Sequence, residues 1–228
     1  MSECLKIAII VALQAEFDLV KNIFENYEEI FEKNISFIKG QIANNEVVLV
    51  RCGIGKVNAA VQLSELIGIF DPDYAINTGV AGGIDKGLSV GDVVVSTKCA
   101  YHDVWCGDGS WGQVQGLPLY FEGSKVMLQK LKALSTNNTH FGLICTGDQF
   151  ITELTGLQTI KTNFPNSLAV DMESAAMAHV CYLRNVPFVS IRVISDTPEM
   201  SHDNTSQYFD FWKDAPKRTF ELLKKLLD

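Results

Sequence analysis

Ala169-Val170-Asp171-Met172-Glu173-Ser174-Ala175-Ala176-Met177-Ala178-His179-Val180, then Phe188-Val189-Ser190-Ile191-Arg192-Val193-Ile194-Ser195-Asp196, decides how this chain is read. The second run is apolar and rich in β-branched residues almost throughout, the pattern of a strand buried on both faces. The first opens on an acid pair, Asp171 and Glu173, and continues over Ser174–Leu183 as a helix of small apolar residues. A helix feeding a fully buried strand is the repeating unit of an α/β protein. Because the strand runs out on Asp196 and the helix opens on acids, carboxylates are expected at one end of the sheet.

Outward from there, further apolar runs bounded by Gly, Asp or Asn predict strands at Ile7–Val11, Val47–Cys52, Tyr74–Thr78, Val93–Ser96 and Gly142–Thr146. Lys56–Phe70 carries apolar residues at Val57, Ala60, Val61, Leu63, Leu66 and Ile67, a helix laid on a sheet. Phe209–Leu227 reads as a last helix, its lysines gathered near the C-terminal end where the dipole favours them. Near-continuous apolar strands alternating with helices predict a central, mixed but mostly parallel twisted sheet with helices on both faces. At 228 residues and 47% hydrophobic, residues 1–228 are expected to form a single domain. Tyr101–Phe121 has no period and is rich in Gly, Trp and Tyr, so a long functional loop is expected there. Thr197–Gln207 is expected to act as a lid.

Composition removes several function classes. A net charge of −8 with dispersed acids disfavours a nucleic-acid partner, which needs clustered Lys and Arg. No apolar run reaches the ~20 residues of a membrane span. Leu5–Leu13 lacks a basic leader and runs into Gln14, Glu16 and Asp18, so it reads as a first buried strand rather than a signal. Six cysteines without a Cys-x-x-Cys read as reduced thiols, hence a cytoplasmic location. His102, His140, His179 and His202 show no ligand spacing, and neither a metal nor a cofactor is expected.

In open α/β sheets ligands bind beyond the carboxyl ends of the strands. The loops there hold the residues with chemistry. Asp196 at a strand tip is ordinarily a turn or cap residue. Against an apolar wall it is also an acid whose pKa climbs from about 3.9 until it stays protonated near neutrality. Glu16, just after the first strand, is ordinarily a helix-start acid stabilised by about 0.5 kcal/mol. Ionised, and placed across from an acid, it is a general base. Ala169, Val170, Met172, Ala175 and Ala176 surround the acid pair, so at least one of Asp171 and Glu173 points inward. The turns Gly53-Ile54-Gly55-Lys56 and Thr78-Gly79-Val80-Ala81-Gly82-Gly83 match neither a dinucleotide nor a P-loop fingerprint. They read as tight turns that also let backbone approach a ligand. Phe150, in Gly147-Asp148-Gln149-Phe150-Ile151, is available to stack on a planar base. With no Gly-x-Ser-x-Gly elbow, nucleophilic hydrolase chemistry is discounted.

Taken together, Gly53–Val57, Asn77–Gly83, Gly147–Ile151, Asp171-Met172-Glu173 and Ile194-Ser195-Asp196 closely resemble the motifs of the 5'-methylthioadenosine/S-adenosylhomocysteine nucleosidases of the nucleoside phosphorylase superfamily. The resemblance implies a three-layer α/β/α sandwich around a mixed, partly barrel-like sheet. It implies hydrolysis of the N-glycosidic bond of 5'-methylthioadenosine and S-adenosylhomocysteine to adenine and the 5'-thio-ribose. By that resemblance Glu16 activates water, Asp196 protonates the leaving purine and Ser195 orients Asp196. Arg192 stands near the attacking water. Glu173 and Met172 hold ribose, Phe150 and the backbone of Ile151 bind adenine, and Gly82 belongs to the glycine-rich ligand wall. Leu13, Ile54 and Phe209 suit an apolar pocket for the thioether; Trp105 is a further candidate there or for a subunit interface. Asp171 is then a structural acid. The family implies a homodimer whose partner lines the 5'-thio pocket.

Two positions depart from the pattern: Val80 stands where some relatives have serine, and the loop from Tyr101 aligns only at its start. The alternatives are a purine nucleoside phosphorylase, or a nucleosidase preferring another 5'-modified adenosine such as aminodeoxyfutalosine. A phosphate nucleophile needs a cationic cradle. Asn77-Thr78-Gly79-Val80-Ala81 has no arginine or serine to build one, so water is expected.

Overall fold

The computed structural model describes residues 4–197, 204–213 and 220–228. β1 (Lys6–Val11) is buried along almost its whole length and lies between β4 (Asn45–Arg51) and β5 (Tyr74–Gly83), parallel to both. β5 is parallel to β10 (Phe188–Asp196), and β10 is antiparallel to β6 (Val93–Tyr101). β6 is parallel to β8 (Thr139–Thr146) and β8 to β9 (Ser167–Asp171), which returns antiparallel to the far end of β5. These five strands, β5, β10, β6, β8 and β9, close a hydrogen-bonded ring. From β5 the sheet extends as an open wing through β1 and β4 to β3 (Ile35–Ile42) and the edge strand β2 (Asn26–Glu32). β7 (Phe121–Glu122) pairs with β6.

Among the described residues, five pairings are parallel and five antiparallel, so the sheet is evenly mixed rather than mostly parallel as the apolar runs suggested. Part of the antiparallel share comes from the β2–β3–β4 meander. Lys33 and Asn34 turn β2 into β3 with φ of 48° and 64°, the left-handed pair that a two-residue hairpin needs. β2 is exposed along most of its length, which hides it from an apolar-run search.

Side chains alternate across β1. Ala8 and Ile10 pack with Leu63 and Leu66 of α2 (Lys56–Phe70) and with Ala175 and Ala178 of α5 (Ser174–Arg184). Ile7, Ile9 and Val11 pack on the other side with Val20 of α1 (Gln14–Lys21), Leu131 of α3 (Lys125–Leu134) and Leu223 of α7 (Glu221–Leu227). α4 (Leu154–Asn163) seals a third cluster through Leu157 and Ile160. No helix among the described residues is long and apolar enough to cross a membrane.

The predicted helix over Lys56–Phe70 forms with those bounds. Three expectations change. Thr78–Gly83, expected as a turn, is the end of β5, held there by pairing through Gly82 with both Asp196 and Val170. The expected helix Phe209–Leu227 divides between α6 (Asn204–Lys213) and α7, with 214–219 outside the described residues. Of the expected lid, 198–203, including His202, also lie outside them, and Asn204–Gln207 is the first turn of α6.

Candidate active site

A cavity of about 320 Å³ opens where β1, β5, β9 and β10 end. Glu16, Glu173, Arg192 and Asp196 form its polar part. Leu13, Ile54, Phe150, Ile151, Met172 and Phe209 supply apolar wall, and Gly82 and Ser195 complete the set of residues singled out in the sequence. The structure brings all of them to one place.

Glu16 lies in the first turn of α1, yet it is 1% exposed, because its side chain turns inward onto β5 while its neighbours Gln14 and Ala15 face water. Its Oε2 accepts the N–H groups of Ala12 and Leu13, each at 2.9 Å, and its Oε1 accepts that of Val80 at 3.0 Å. Burial pushes the carboxyl above its ordinary pKa. Arg192 and the three N–H groups pull against that and hold the oxygens in place. Gly79 makes the approach possible. A Cβ there, at φ +153°, would collide with Glu16 Oε1 and Arg192 Nη1.

Arg192 points from β10 into the base of the cavity and is 1% exposed. Its Nη2 stands 2.7 Å from Asp171 Oδ2 and 3.2 Å from Glu173 Oε2, and its Nη1 donates to the Val80 carbonyl at 3.3 Å. Burial works against the guanidinium charge, but Asp171, Glu173 and Glu16 outweigh it and raise its pKa. The acids expected to open α5 divide their work. Asp171 is the last residue of β9; its carboxylate accepts from Thr146 Oγ1 at 2.5 Å and from the amide and hydroxyl of Ser174. Glu173 is the N-cap of α5, and its Oε1 accepts the Gly55 N–H at 3.0 Å. Burial raises the Glu173 pKa, Arg192 opposes the rise, and Asp171 adds to it.

Asp196 ends β10 and is 1% exposed. Ser195 Oγ donates to its Oδ1 at 2.7 Å and Asn204 Nδ2 to its Oδ2 at 3.0 Å. Burial raises its pKa against those two donors. A carboxyl whose pKa is raised by burial and a second carboxyl held by three N–H groups thus open on the same space.

The Gly147–Ile151 segment is braced from outside the cavity. Lys56 Nζ stands 2.6 Å from Asp103 Oδ2, the same oxygen accepts the Asp148 N–H at 2.9 Å, and Asp148 Oδ1 accepts the Lys56 N–H at 2.8 Å. Phe150, 47% exposed, projects beyond this brace against Tyr208, with ring centroids 5.5 Å apart.

The lining also includes Ala12, Val80, Gln149, Asp171, Thr205 and Tyr208, which the sequence reading did not assign to it. Gln149 lies inside the Gly147–Ile151 loop and Thr205 inside the expected lid Thr197–Gln207, and the aromatic residues between Tyr208 and Trp212 are a signal for Tyr208. Val80 takes part through its backbone, with no need of a hydroxyl. Trp105, proposed for the thioether, instead stacks on Trp111 at 5.6 Å, and the lining contains no residue of 101–121.

Among the described residues the cavity lining holds four carboxyl groups, Glu16, Asp171, Glu173 and Asp196, and one guanidinium that is already paired. Such a site stabilises a developing cation and disfavours a second anion.

Residues 6–228 match the family described as the phosphorylase superfamily. The 5'-methylthioadenosine/S-adenosylhomocysteine nucleosidase of Staphylococcus carnosus (strain TM300) is 38% identical over 227 residues, which cover 97% of this chain and 98% of that protein. That of Listeria monocytogenes serotype 4b (strain CLIP80459) is 40% identical over 230 residues, covering 97% and 98%. The solved nucleosidase of S. pneumoniae with a transition-state inhibitor superposes with a TM-score of 0.91 at 37% identity, covering 97% of this chain and 98% of that one.

Proposed function

The chain belongs to the phosphorylase superfamily and, within it, to the 5'-methylthioadenosine/S-adenosylhomocysteine nucleosidases, and on that premise we propose how its cavity works. The enzyme hydrolyses the N-glycosidic bond of 5'-methylthioadenosine and S-adenosylhomocysteine, releasing adenine and the 5'-thio-ribose.

Asp196 gives its proton to purine N7, so the electron pair of the breaking C1'–N9 bond leaves on a neutral base. Positive charge builds on the ribose ring, as in glycoside cleavage generally, and Glu173 and Glu16 stabilise it electrostatically. Glu16 takes a proton from water as its oxygen bonds C1'. Glu173 accepts the ribose hydroxyls and Met172 packs on the sugar. Phe150 stacks on adenine, whose edge the Ile151 backbone reads. Leu13, Ile54 and Phe209 take the thioether.

The observation that carries water as nucleophile is the charge of the lining: among the described residues, three carboxylates besides the proton-donating Asp196, and one arginine already paired twice. Phosphate would enter as a further anion without a free cation. Incubation with methylthioadenosine in phosphate-free buffer is expected to release free methylthioribose. A sugar 1-phosphate, formed only after phosphate is added, overturns the hydrolytic reading. Turnover of methylthioadenosine, S-adenosylhomocysteine and aminodeoxyfutalosine side by side tests the substrate class.

Three wider readings go with this one. Helices packed on opposite faces of β1 support a three-layer α/β/α arrangement in one domain spanning 1–228. Exposed Val57 and Val61 on α2, with Tyr182 and Leu183 on the adjoining α5, support a homodimer through those helices. The free cysteines suit a reducing cytoplasm.

A further inference from the structure

Asn204 is the first residue of α6 and is 4% exposed. Its amide nitrogen donates to two acceptors at once, Asp196 Oδ2 at 3.0 Å and the Ile151 carbonyl at 2.9 Å. A primary amide carries two N–H groups, so both are committed, and its planarity fixes how far apart the two acceptors stand. One acceptor ends β10. The other lies in the segment after β8, a different part of the ring.

We propose that Asn204 is a positioning residue that locks the proton-donating carboxyl to the backbone that reads the purine edge. The proposal rests on the reading of Asp196 as general acid. Proton transfer to N7 requires carboxyl and base to meet within hydrogen-bond distance at the right angle. Ser195 already fixes Oδ1 of the carboxyl. Asn204 fixes Oδ2 and, through Ile151, the height at which the base sits. It thereby couples base recognition to base protonation. The same amide seats α6, whose Tyr208 and Phe209 continue the cavity wall.

Steady-state kinetics with methylthioadenosine across pH, on Asn204→Ala, Asn204→Asp and Asp196→Asn, test this. Asn204→Ala removes a donor that favours the ionised carboxyl. We expect kcat to fall roughly 10-fold, KM to rise several-fold, and the alkaline limb of the rate profile to move to higher pH. Asn204→Asp keeps the shape but sets a second acid beside Asp196. Its alkaline limb is expected to rise by about one pH unit or more, as for like-charged carboxyls sharing a site. That variant decides the matter even where the alanine variant does not fold, which thermal unfolding of each protein shows. A merely structural asparagine would lower the melting temperature and the yield of active enzyme while leaving limb and KM in place, and that result overturns the proposal. If Asp196→Asn is inactive while neither Asn204 variant moves the limb, Asn204 alone loses its role. If Asp196→Asn keeps its rate within a few-fold, the reading of Asp196 falls, and this inference with it.

Discussion

Asp171 Oδ2 lies 2.7 Å from Arg192 Nη2, with both side chains 1% exposed, so the one cation lining the cavity among the described residues is clamped by an acid in the last position of β9. Asp171→Ala leaves that guanidinium with Glu173 as its remaining close acid. Breaking a buried pair by removing one partner costs about 3–5 kcal/mol, and the urea midpoint of Asp171→Ala is expected to fall accordingly. Asp171→Asn keeps the shape and some of the hydrogen bonds, so it is expected to lie between alanine and wild type.

Glu16→Gln and Asp196→Asn are each expected to lower kcat by about 100-fold or more, the scale of a general base or acid. Their pH signatures differ. Glu16 must be ionised, so its titration sets the acid limb; Asp196 must be protonated, so its titration sets the alkaline limb. Burial raises both above their ordinary values of 4.5 and 3.8, which moves the whole profile toward neutrality. Residual rates measured from pH 4 to 10 check this. Glu16→Gln is expected to flatten the acid limb and Asp196→Asn the alkaline one.

Stability is expected to run against activity. Burial raises the pKa of Glu16, Glu173 and Asp196, so each binds its proton more tightly in the folded chain than in the unfolded one. Their contribution is therefore whole below the unfolded values, near pH 4, and is lost as pH climbs through the folded ones. Asp196→Asn carries no charge at any pH. Its melting temperature is expected to exceed that of wild type at pH 8, by a margin that shrinks at pH 5. Equal margins at both pH values would contradict this.

Gly79→Ala is expected to lose most activity, because its methyl group would displace Glu16 Oε1 and Arg192 Nη1 together. Gly68→Ala is the control, in the last turn of α2 with nothing close to the added methyl. There kcat should be unchanged and stability should rise slightly, since alanine favours a helix over glycine by up to ~1 kcal/mol.

What the chain reveals before folding is its buried framework. β1 is apolar without a break from Ile7 to Val11, β10 is apolar but for Ser190, Arg192 and its Ser195-Asp196 end, and α2 keeps its helical period from Lys56 to Phe70, so local pattern suffices there. β2 escapes notice because Glu28, Glu29 and Glu32 keep that edge strand polar, a feature of edges rather than of strands in general. The extension of β5 through its glycines depends on register with β10, more than a hundred residues away, and no local pattern carries it. The site follows the same division. Residues in loops directly after strands are found by rule, since the sheet delivers them to one end. Asn204, Thr205 and Tyr208 arrive on α6, whose seat is set by tertiary contacts with Ile151 and Asp196. The brace of Lys56, Asp103 and Asp148 joins three distant segments and likewise has no local signature.

β10 is the keystone of the five-strand ring, standing between β5 and β6, although it comes late in the chain. A nascent polypeptide still lacking Phe188–Asp196 holds Glu16 without the countercharge of Arg192 and has no proton donor to offer a base. A seated β10 is therefore a condition of turnover, and α6, which follows it in the chain, must dock on Asp196 and Ile151 as well before the cavity wall is whole.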